Sequence, residues 1–130
     1  MSSKPTPEII LTHFDWSLAR LKEAIKNENT EYYRGAALQR FRLTYDVALE
    51  TIRAFAIESE QVCSTDESCL RWVEKKQWLV KNAEWKVMIK HYKKIKNQPK
   101  DNELDEIYIE LKTYYSLLKY LSECMKLADV

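Results

Sequence analysis

The stretch Leu104–Met125, LDEIYIELKTYYSLLKYLSECM, carries the most regular apolar pattern in the chain. Its apolar side chains recur every three or four residues, the spacing that places side chains on one face of an α-helix. Burying such side chains contributes roughly 1.5–3 kcal/mol each before conformational entropy is subtracted, so a helix of this kind must pack. The pattern predicts one long helix that begins after Pro99, with Asp101 or Asn102 as its N-cap. The predicted buried face consists of Leu104, Ile107, Tyr108, Leu111, Tyr114, Tyr115, Leu118, Leu121 and Met125.

Two amphipathic helices are predicted in the amino-terminal half of the chain. Thr6 can cap the first helix, Pro7 suits its first turn, and the polar run KNENT, residues 26–30, ends it. Thr30 can cap the second helix, which the pattern extends to about Glu58. The two predicted buried faces are Ile10, Phe14, Leu18, Leu21 and Ile25, and then Ala37, Phe41, Tyr45, Ala48, Ile52 and Phe55.

A third and a fourth helix are predicted between residues 64 and 97. Ser64 and Glu67 have the Ser-x-x-Glu spacing of a capping box, which starts a short helix that carries Leu70 and Val73. Asn82 is the predicted cap of the fourth helix. Its apolar face consists of Trp85, Met88, Ile89, Tyr92 and Ile95.

The glycine content supports an all-helical protein, because Gly35 is the only glycine among 130 residues. Turns with positive φ favour glycine, so sheets and tight turns usually need more of it. An apolar fraction of 45% and a charged fraction of 32% are typical of one soluble globular domain. We therefore predict an all-α fold, an antiparallel up-and-down bundle of four to five helices. The domain is expected over residues 7–130, behind a flexible tail at residues 1–6.

Charge and cysteine usage limit the partners and the compartment. Lys and Arg number 21 against 20 for Asp and Glu, so no global field would steer the chain to nucleic acid or to a membrane. No signal-peptide pattern and no run of about 18 apolar residues occurs, so we expect a cytoplasmic protein without membrane contact. Cys63, Cys69 and Cys124 are an odd number, and zinc needs about four ligands at tighter spacing. We expect free, mostly buried thiols.

The sequence offers few groups for catalysis. A single glycine rules out a glycine-rich phosphate loop, and no acidic cluster has the spacing of metal-binding carboxylates on a strand. Only His13 and His91 could act as a histidine base, and neither lies in a recognisable nucleophile motif. We expect no catalytic residues, no metal site and no cofactor.

The stretch Trp85–Asn97, WKVMIKHYKKIKN, joins a basic surface to His91. The 3.6-residue period places His91 roughly 100° from the centre of the apolar stripe, at the border between core and solvent. We interpret it as a half-exposed histidine, with a ligand or catalytic role as the alternative. A second alternative is a nucleic-acid patch in which Tyr92 stacks on a base, although Tyr92 belongs to the apolar stripe. The lysines of that patch are Lys86, Lys90, Lys93, Lys94 and Lys96.

Several stretches together resemble one protein family. They are FDWSLARLKEAI (14–25), QRFRLTYDVALETIRAF (39–55), STDESCLRWV (64–73), NAEW (82–85) and DEIYIELKTYYSLLKYL (105–121). In order and spacing they are similar to the nucleotidyltransferase substrate-binding proteins of the HEPN superfamily. The resemblance implies a helical bundle that forms a homodimer and associates with a minimal nucleotidyltransferase, in pairs that resemble two-gene toxin–antitoxin modules.

The sequence departs from that family at its catalytic motif. Many HEPN proteins carry an Arg followed about four to six residues later by His, a metal-independent ribonuclease site made across the dimer. Anchoring AEW and EIY puts these two positions on Tyr92 and Asn97, whereas anchoring on His91 puts the arginine position on Lys86. No arginine occurs after Arg71. We therefore expect a non-catalytic partner subunit.

Two other functions stay open at this point. One is a ribonuclease toxin with a degenerate site at Lys86, His91 and Tyr92, and the other is a nucleic-acid-binding bundle. The candidate surface for the partner, a nucleotide or a nucleic acid is Lys86, Lys90, His91, Tyr92, Asn97 and Arg40. The candidate dimer interface is Trp85, Tyr92 and Tyr45.

Overall fold

The computed structural model describes residues 6–97 and 99–128, and in these residues it contains helices and connecting turns but no strand. The predicted all-α class is confirmed. Residues 1–5 of the predicted tail lie outside the described residues. The helices are α1 (Pro7–Lys26), α2 (Glu31–Glu58), α3 (Asp66–Lys75), α4 (Trp85–Lys96), α5 (Asp101–Ile109) and α6 (Leu111–Leu127). None of these helices is long and apolar enough to cross a membrane.

The first pair of helices is antiparallel and closely packed. A connection of a few residues joins α1 to α2, which favours antiparallel neighbours. At their contact, Ser17 Oγ lies 2.7 Å from Thr44 Oγ1, and both side chains are buried. Two small hydroxyl side chains that satisfy one another let the two backbones approach closely without leaving an unpaired polar group.

The carboxyl-terminal helices complete the bundle. Lys94 pairs with Glu103 at 3.2 Å, while His91, earlier in α4, reaches Tyr114, later in the chain, so α4 runs antiparallel to α5 and α6. Helix α6 returns beside α1, and the residues around the ends of α1, α2 and α6 meet at one end of the bundle. The main elements of the bundle are therefore the helices α1, α2 and α4 and the α5–α6 pair, whereas α3 is a short connecting helix.

The predicted apolar faces form the core. The predicted positions on α1, α2 and α4 are buried except Ile25 and Ile95, which are half-buried and pack against the core. Phe14, Phe41 and Tyr45 are among the largest side chains that are fully buried. Burial of such side chains is the main favourable term in the folding of a bundle this small.

The start of α1 and α2 is as predicted, but the start of α3 differs by one residue. Thr6 accepts a hydrogen bond from the Ile9 N–H, and Thr30 accepts one from the Tyr33 N–H. The capping box of α3 uses Thr65, not Ser64, as its N-cap. Ser68 takes the position predicted for Glu67, because its short hydroxyl side chain completes the reciprocal pair of hydrogen bonds.

The predicted caps of the later helices are wrong. Asn82 lies in the left-handed region with φ of 64°, which asparagine tolerates, and α4 begins at Trp85 after the N-cap Glu84. Lys100, not Asp101 or Asn102, is the N-cap of α5. Turns and caps depend on a few local hydrogen bonds that several neighbouring polar residues can make, so the sequence does not select one of them.

The predicted fifth helix is divided at Glu110. The Glu110 N–H donates to the Ile107 carbonyl oxygen at 3.0 Å, an i to i−3 bond that tightens the end of α5 before α6 begins. The predicted face is largely retained across this break. Ile107, Leu111, Tyr114, Leu118, Leu121 and Met125 are buried, and Leu104, Tyr108 and Tyr115 pack partly buried against the core.

The expectation of free thiols is wrong for two of the three cysteines. Cys63 and Cys69 form a disulfide, whereas Cys124 is free and half-buried. The chain turns between the end of α2 and the first turn of α3, which brings the two Cα atoms to 5.0 Å, within the range that a disulfide requires. An odd count predicted a leftover cysteine, but it did not show that the other two come together.

Candidate functional site

Side chains of α4 face three different parts of the protein. We call these the tyrosine–carboxylate cluster (Tyr45, Asp46, Arg53, Asp66 and Tyr92), the lysine face (Lys86, Lys90, Lys93, Lys94 and Asn97) and the acidic groove. The acidic groove is lined by residues 80–84, Val87 and His91 on one side, and by residues of α5 and α6 from Glu106 to Leu117 on the other.

The tyrosine–carboxylate cluster joins α2, α3 and α4. The Tyr45 hydroxyl donates to the Asp66 carboxylate at 2.9 Å, and Arg53 donates to the same carboxylate at 3.0 Å. The rings of Tyr45 and Tyr92 are stacked with centroids 3.8 Å apart, and the Tyr92 hydroxyl donates to Asp46. Burial and then the adjacent carboxylates raise the pKa of both tyrosines far above the usual value. Both hydroxyls therefore stay protonated and serve as structural donors.

A cavity of about 520 Å³ opens beside this cluster. Its charged side chains balance, because three are basic and three are acidic: Arg53, Lys93 and Lys96, against Asp46, Glu50 and Asp66. A phosphate ligand would find no net positive field there, so the cavity is a poor candidate for a nucleotide site.

The lysine face is a shallow depression of about 480 Å³. One of its lysines is already paired with a carboxylate, because Lys94 forms an ion pair with Glu103 at 3.2 Å. The Glu103 pKa is lowered, first by the hydrogen bond from the Lys100 backbone N–H and then by Lys94. The ammonium group of Lys86 lies over the ring of Trp85, 5.6 Å from its centroid. Lys90 and Lys93 are exposed and supply the remaining positive charge on this side.

His91 lies at the acidic groove in contact with Tyr114. Its Nδ1 is 2.6 Å from the Tyr114 hydroxyl oxygen. Burial and then Lys94 lower the pKa of His91, and Glu110 partly opposes them. Burial raises the pKa of Tyr114. At neutral pH the pair is therefore a neutral imidazole and a protonated phenol, in which the hydroxyl can donate to Nδ1.

The acidic groove encloses about 660 Å³. Exposed apolar side chains line it, of which Ile109 is 74% exposed and Val80 and Val87 are also exposed. Carboxylates outnumber cations among its charged lining residues, which are Glu84, Glu106, Glu110 and Lys81, with His91 neutral. The groove is thus open, largely apolar and negatively charged.

The predicted binding residues do not converge on one site. Lys86 and Lys90 line the lysine face, His91 lines the acidic groove, and Tyr92 lies in the tyrosine–carboxylate cluster. Asn97 borders both the lysine face and the cluster cavity. Arg40 is half-buried on α2 and lines neither the acidic groove, the cluster cavity nor the lysine face. The position of Tyr92 in the apolar stripe predicts that it is buried, and this prediction is confirmed.

The three residues of the predicted dimer interface are buried within the single chain. Tyr45 is 1% exposed, Trp85 is 4% exposed and Tyr92 is 6% exposed. The indole N–H of Trp85 already donates to Glu74 at 2.8 Å. These side chains offer almost no surface to a second copy, so a dimer contact would need other residues.

Sequence reasoning missed the residues that build the acidic groove. Tyr114 belongs to a predicted apolar stripe, and no local pattern in the sequence indicates that its hydroxyl meets His91. The available signal for Ile109 was its position in α5 between the buried Ile107 and Leu111, which places it on the opposite face of the helix. One exposed isoleucine is common on a protein surface, and Ile109 gains meaning only because the fold places the exposed Val80 and Val87 around the same groove.

No protein-family model matches the chain, and comparison with curated proteins finds no match. Among the described residues, no group of three or more His, Cys, Asp or Glu side chains is arranged to hold a metal ion. Two observations therefore bear on the function of the chain: the geometry around α4 and the sequence resemblance.

Proposed function

We propose that the chain is a non-catalytic binding subunit that associates with a minimal nucleotidyltransferase, as a homodimer and within a toxin–antitoxin-type module. The observation that carries the proposal is that α4 contains no arginine and that its one histidine, His91, is engaged by the Tyr114 hydroxyl. The resemblance to nucleotidyltransferase substrate-binding proteins gives the class of partner. The missing arginine and the engaged histidine count against a ribonuclease, the main catalytic alternative.

A metal-independent ribonuclease needs a base and a cation directed at the same phosphodiester. Lys86 covers the ring of Trp85, and His91 Nδ1 is engaged by Tyr114. Without an arginine in α4, no side chain of this helix supplies the two-pronged contact of a guanidinium.

The proposed function places the protein in the cytoplasm, where nucleotides for such an enzyme occur. The thiol buffers of that compartment favour the reduced form of Cys63 and Cys69. Binding to the enzyme would not depend on the disulfide, because α4 and α6 are held by the apolar core and not by this bond.

Light scattering coupled to size exclusion tests the proposal directly. The chain is measured alone and with a minimal nucleotidyltransferase, and we expect a stable mixed complex. In parallel, unstructured RNA is incubated with the chain in EDTA, with His91→Ala as the matched variant. A homodimer indifferent to the enzyme, or RNA cleavage that His91→Ala abolishes, would contradict the proposal.

Nucleic-acid binding without catalysis is the second candidate, favoured by the exposed Lys90 and Lys93 on the lysine face. Tyr92 cannot serve as its stacking platform, because the ring is already stacked on Tyr45. Phosphate contacts would make the affinity fall steeply with salt concentration. A flat salt titration with single-stranded RNA would exclude this function.

A further inference from the structure

Two walls line the acidic groove. One wall is the segment from Val80 to Glu84 with the adjoining part of α4, and the other is α5 and α6 from Glu106 to Leu117. The part of this second wall in α6, residues 111–117, extends about 10 Å along the helix axis, and the last turn of α5 lengthens it across the break at Glu110. A helix that docks through positions i, i+3 or i+4, and i+7 needs about 10 Å of groove, so the wall is long enough.

The apolar residues of the groove are arranged as anchor positions. Val80 and Val87 belong to the first wall and Ile109 to the second. Both walls therefore contribute exposed apolar side chains. Single exposed apolar residues are common on protein surfaces, but several around one concave surface mark an interaction site.

The charge of the groove selects among partners. Glu84, Glu106 and Glu110 lie along it, and none of them takes part in the ion pairs formed within the described residues. Lys81 is the one basic residue lining this groove in the part of the chain that the structure describes. Lysine or arginine side chains on the polar face of a docked helix would meet complementary charge.

A second copy of the chain does not supply a suitable helix. Its basic amphipathic helix is α4, but the apolar face of α4 is buried against the core through Trp85, Met88, Ile89 and Tyr92. That face could enter a groove only if the bundle opened. The occupant therefore comes from a different protein.

We infer that the acidic groove binds a basic amphipathic helix of a partner protein, with its apolar positions against Val80, Val87 and Ile109 and its cations beside Glu84, Glu106 and Glu110. The inference rests on the proposed function for the identity of the partner, the nucleotidyltransferase. The chemistry of the groove is independent of that identity and can be tested separately.

The test uses a fluorescein-labelled 18-residue helical peptide with leucine at the i, i+3, i+4 and i+7 positions and lysine elsewhere. A peptide with glutamate in place of lysine is the control probe. Fluorescence anisotropy should show that the whole chain binds the lysine peptide and not the glutamate peptide. Equal binding of both peptides, or binding of neither, would overturn the inference.

Matched variants locate the binding. Val87→Ser with Ile109→Ser should weaken binding of the lysine peptide at least about tenfold, since two apolar anchors are lost. Ile57→Ser with Val62→Ser removes two exposed apolar residues away from the groove and should leave the affinity unchanged. Glu106→Gln with Glu110→Gln should weaken binding more at low salt than at high salt. Affinity unchanged in the groove variants would overturn the inference.

The same variants distinguish this inference from the proposed function. If wild-type chain and nucleotidyltransferase form a complex that the groove variants retain, the groove inference falls and the proposed function stands. If the groove binds the lysine peptide but wild-type chain forms no complex with the enzyme, the proposed function falls and the groove chemistry is supported. If the groove variants instead dissociate a homodimer, the occupant is a second copy and the inference is overturned.

Discussion

The two sides of α4 handle their polar groups in opposite ways. On the side of α2 and α3, the hydroxyls of Tyr45 and Tyr92 meet carboxylates and the two rings stack on each other. On the side of α5 and α6, Val87 and Ile109 remain exposed and the carboxylates of the acidic groove form no ion pair within the described residues.

The first side of α4 therefore contributes to the stability of the fold, whereas the second side is accessible to a binding partner. A polar network inside a low-dielectric region stabilises the fold only when its members are mutually satisfied. Apolar and charged groups without an internal partner add little to the folding of the single chain, so they can be selected for binding. Substitutions in the tyrosine–carboxylate cluster should therefore lower the free energy of unfolding, whereas substitutions of the exposed apolar and unpaired acidic residues of the groove should leave it nearly unchanged.

The largest effect is expected for Tyr45→Ala. The substitution leaves a cavity in the core and removes the stack on Tyr92, so the free energy of unfolding should fall by about 3–5 kcal/mol, as for other large aromatic truncations. Urea-induced unfolding followed by circular dichroism measures this change. The control Tyr32→Ala, at an exposed tyrosine, should change it by less than about 0.5 kcal/mol. Similar losses for the two variants would contradict the comparison.

The disulfide contributes the next largest effect on the same side of the molecule. Reduction should lower the free energy of unfolding by about 2 kcal/mol, because Cys63 and Cys69 lie six positions apart and close a short loop. Unfolding curves with and without a phosphine reductant measure the change. Cys124→Ser is the control, since it should keep the sensitivity to reductant. Three titratable thiols in the unreduced folded protein would contradict this prediction.

A smaller change in the free energy of unfolding is expected when the pH is lowered and His91 becomes protonated. Its pKa in the folded chain is lowered from the ordinary value of 6.5 by burial and by Lys94. As the pH falls below about 6.5, the unfolded chain takes up a proton that the folded chain resists. The stabilising contribution is therefore complete above that pH and is lost as the pH falls towards the folded-state pKa.

Unfolding free energies of wild type and His91→Gln, measured at several values between about pH 5 and pH 7.5, test the sign of this effect. The stability of the wild type should fall more steeply towards acid than that of the variant. The exposed His13→Gln is the control for loss of an imidazole. A wild type that gains stability relative to His91→Gln in acid would show that the sign is wrong.

The smallest effect is expected for Ile109→Ser in the acidic groove. Ile109 is exposed, so its truncation removes almost no buried area and should change the free energy of unfolding by less than about 0.5 kcal/mol. The control is Ile107→Ser, two residues earlier and buried, which should be strongly destabilising. A loss at Ile109 comparable to that at Ile107 would indicate that the groove is part of the core.

The helices and their buried faces were largely predictable from the sequence. The spacing of Phe14, Leu18 and Leu21, or of Met88, Ile89 and Tyr92, is a local property that identifies a helical face without knowledge of its neighbours. The break at Glu110 was not predictable in this way. It lies among residues that continue the apolar period, and no glycine or proline marks it.

The candidate site was much less predictable. The basic stretch of α4 suggested one surface around Lys86, His91 and Tyr92, but the structure distributes these residues over three surroundings. The 3.6-residue period places Tyr92 in the apolar stripe and His91 at its edge, and the same period applied to Lys86 separates the three residues. The partners of His91 and Tyr92 lie 23 and 46 residues away, beyond the reach of any local pattern.

The sequence by itself determined the all-α class, the extent of α1 and α2 and the apolar face of each helix, because a helix repeats its environment every 3.6 residues. Tertiary structure decided the pairing of Cys63 with Cys69, the meeting of His91 with Tyr114 and the separation of the surfaces around α4. These features depend on how the packed helices bring distant residues together. Such contacts form only when the whole bundle closes around its core.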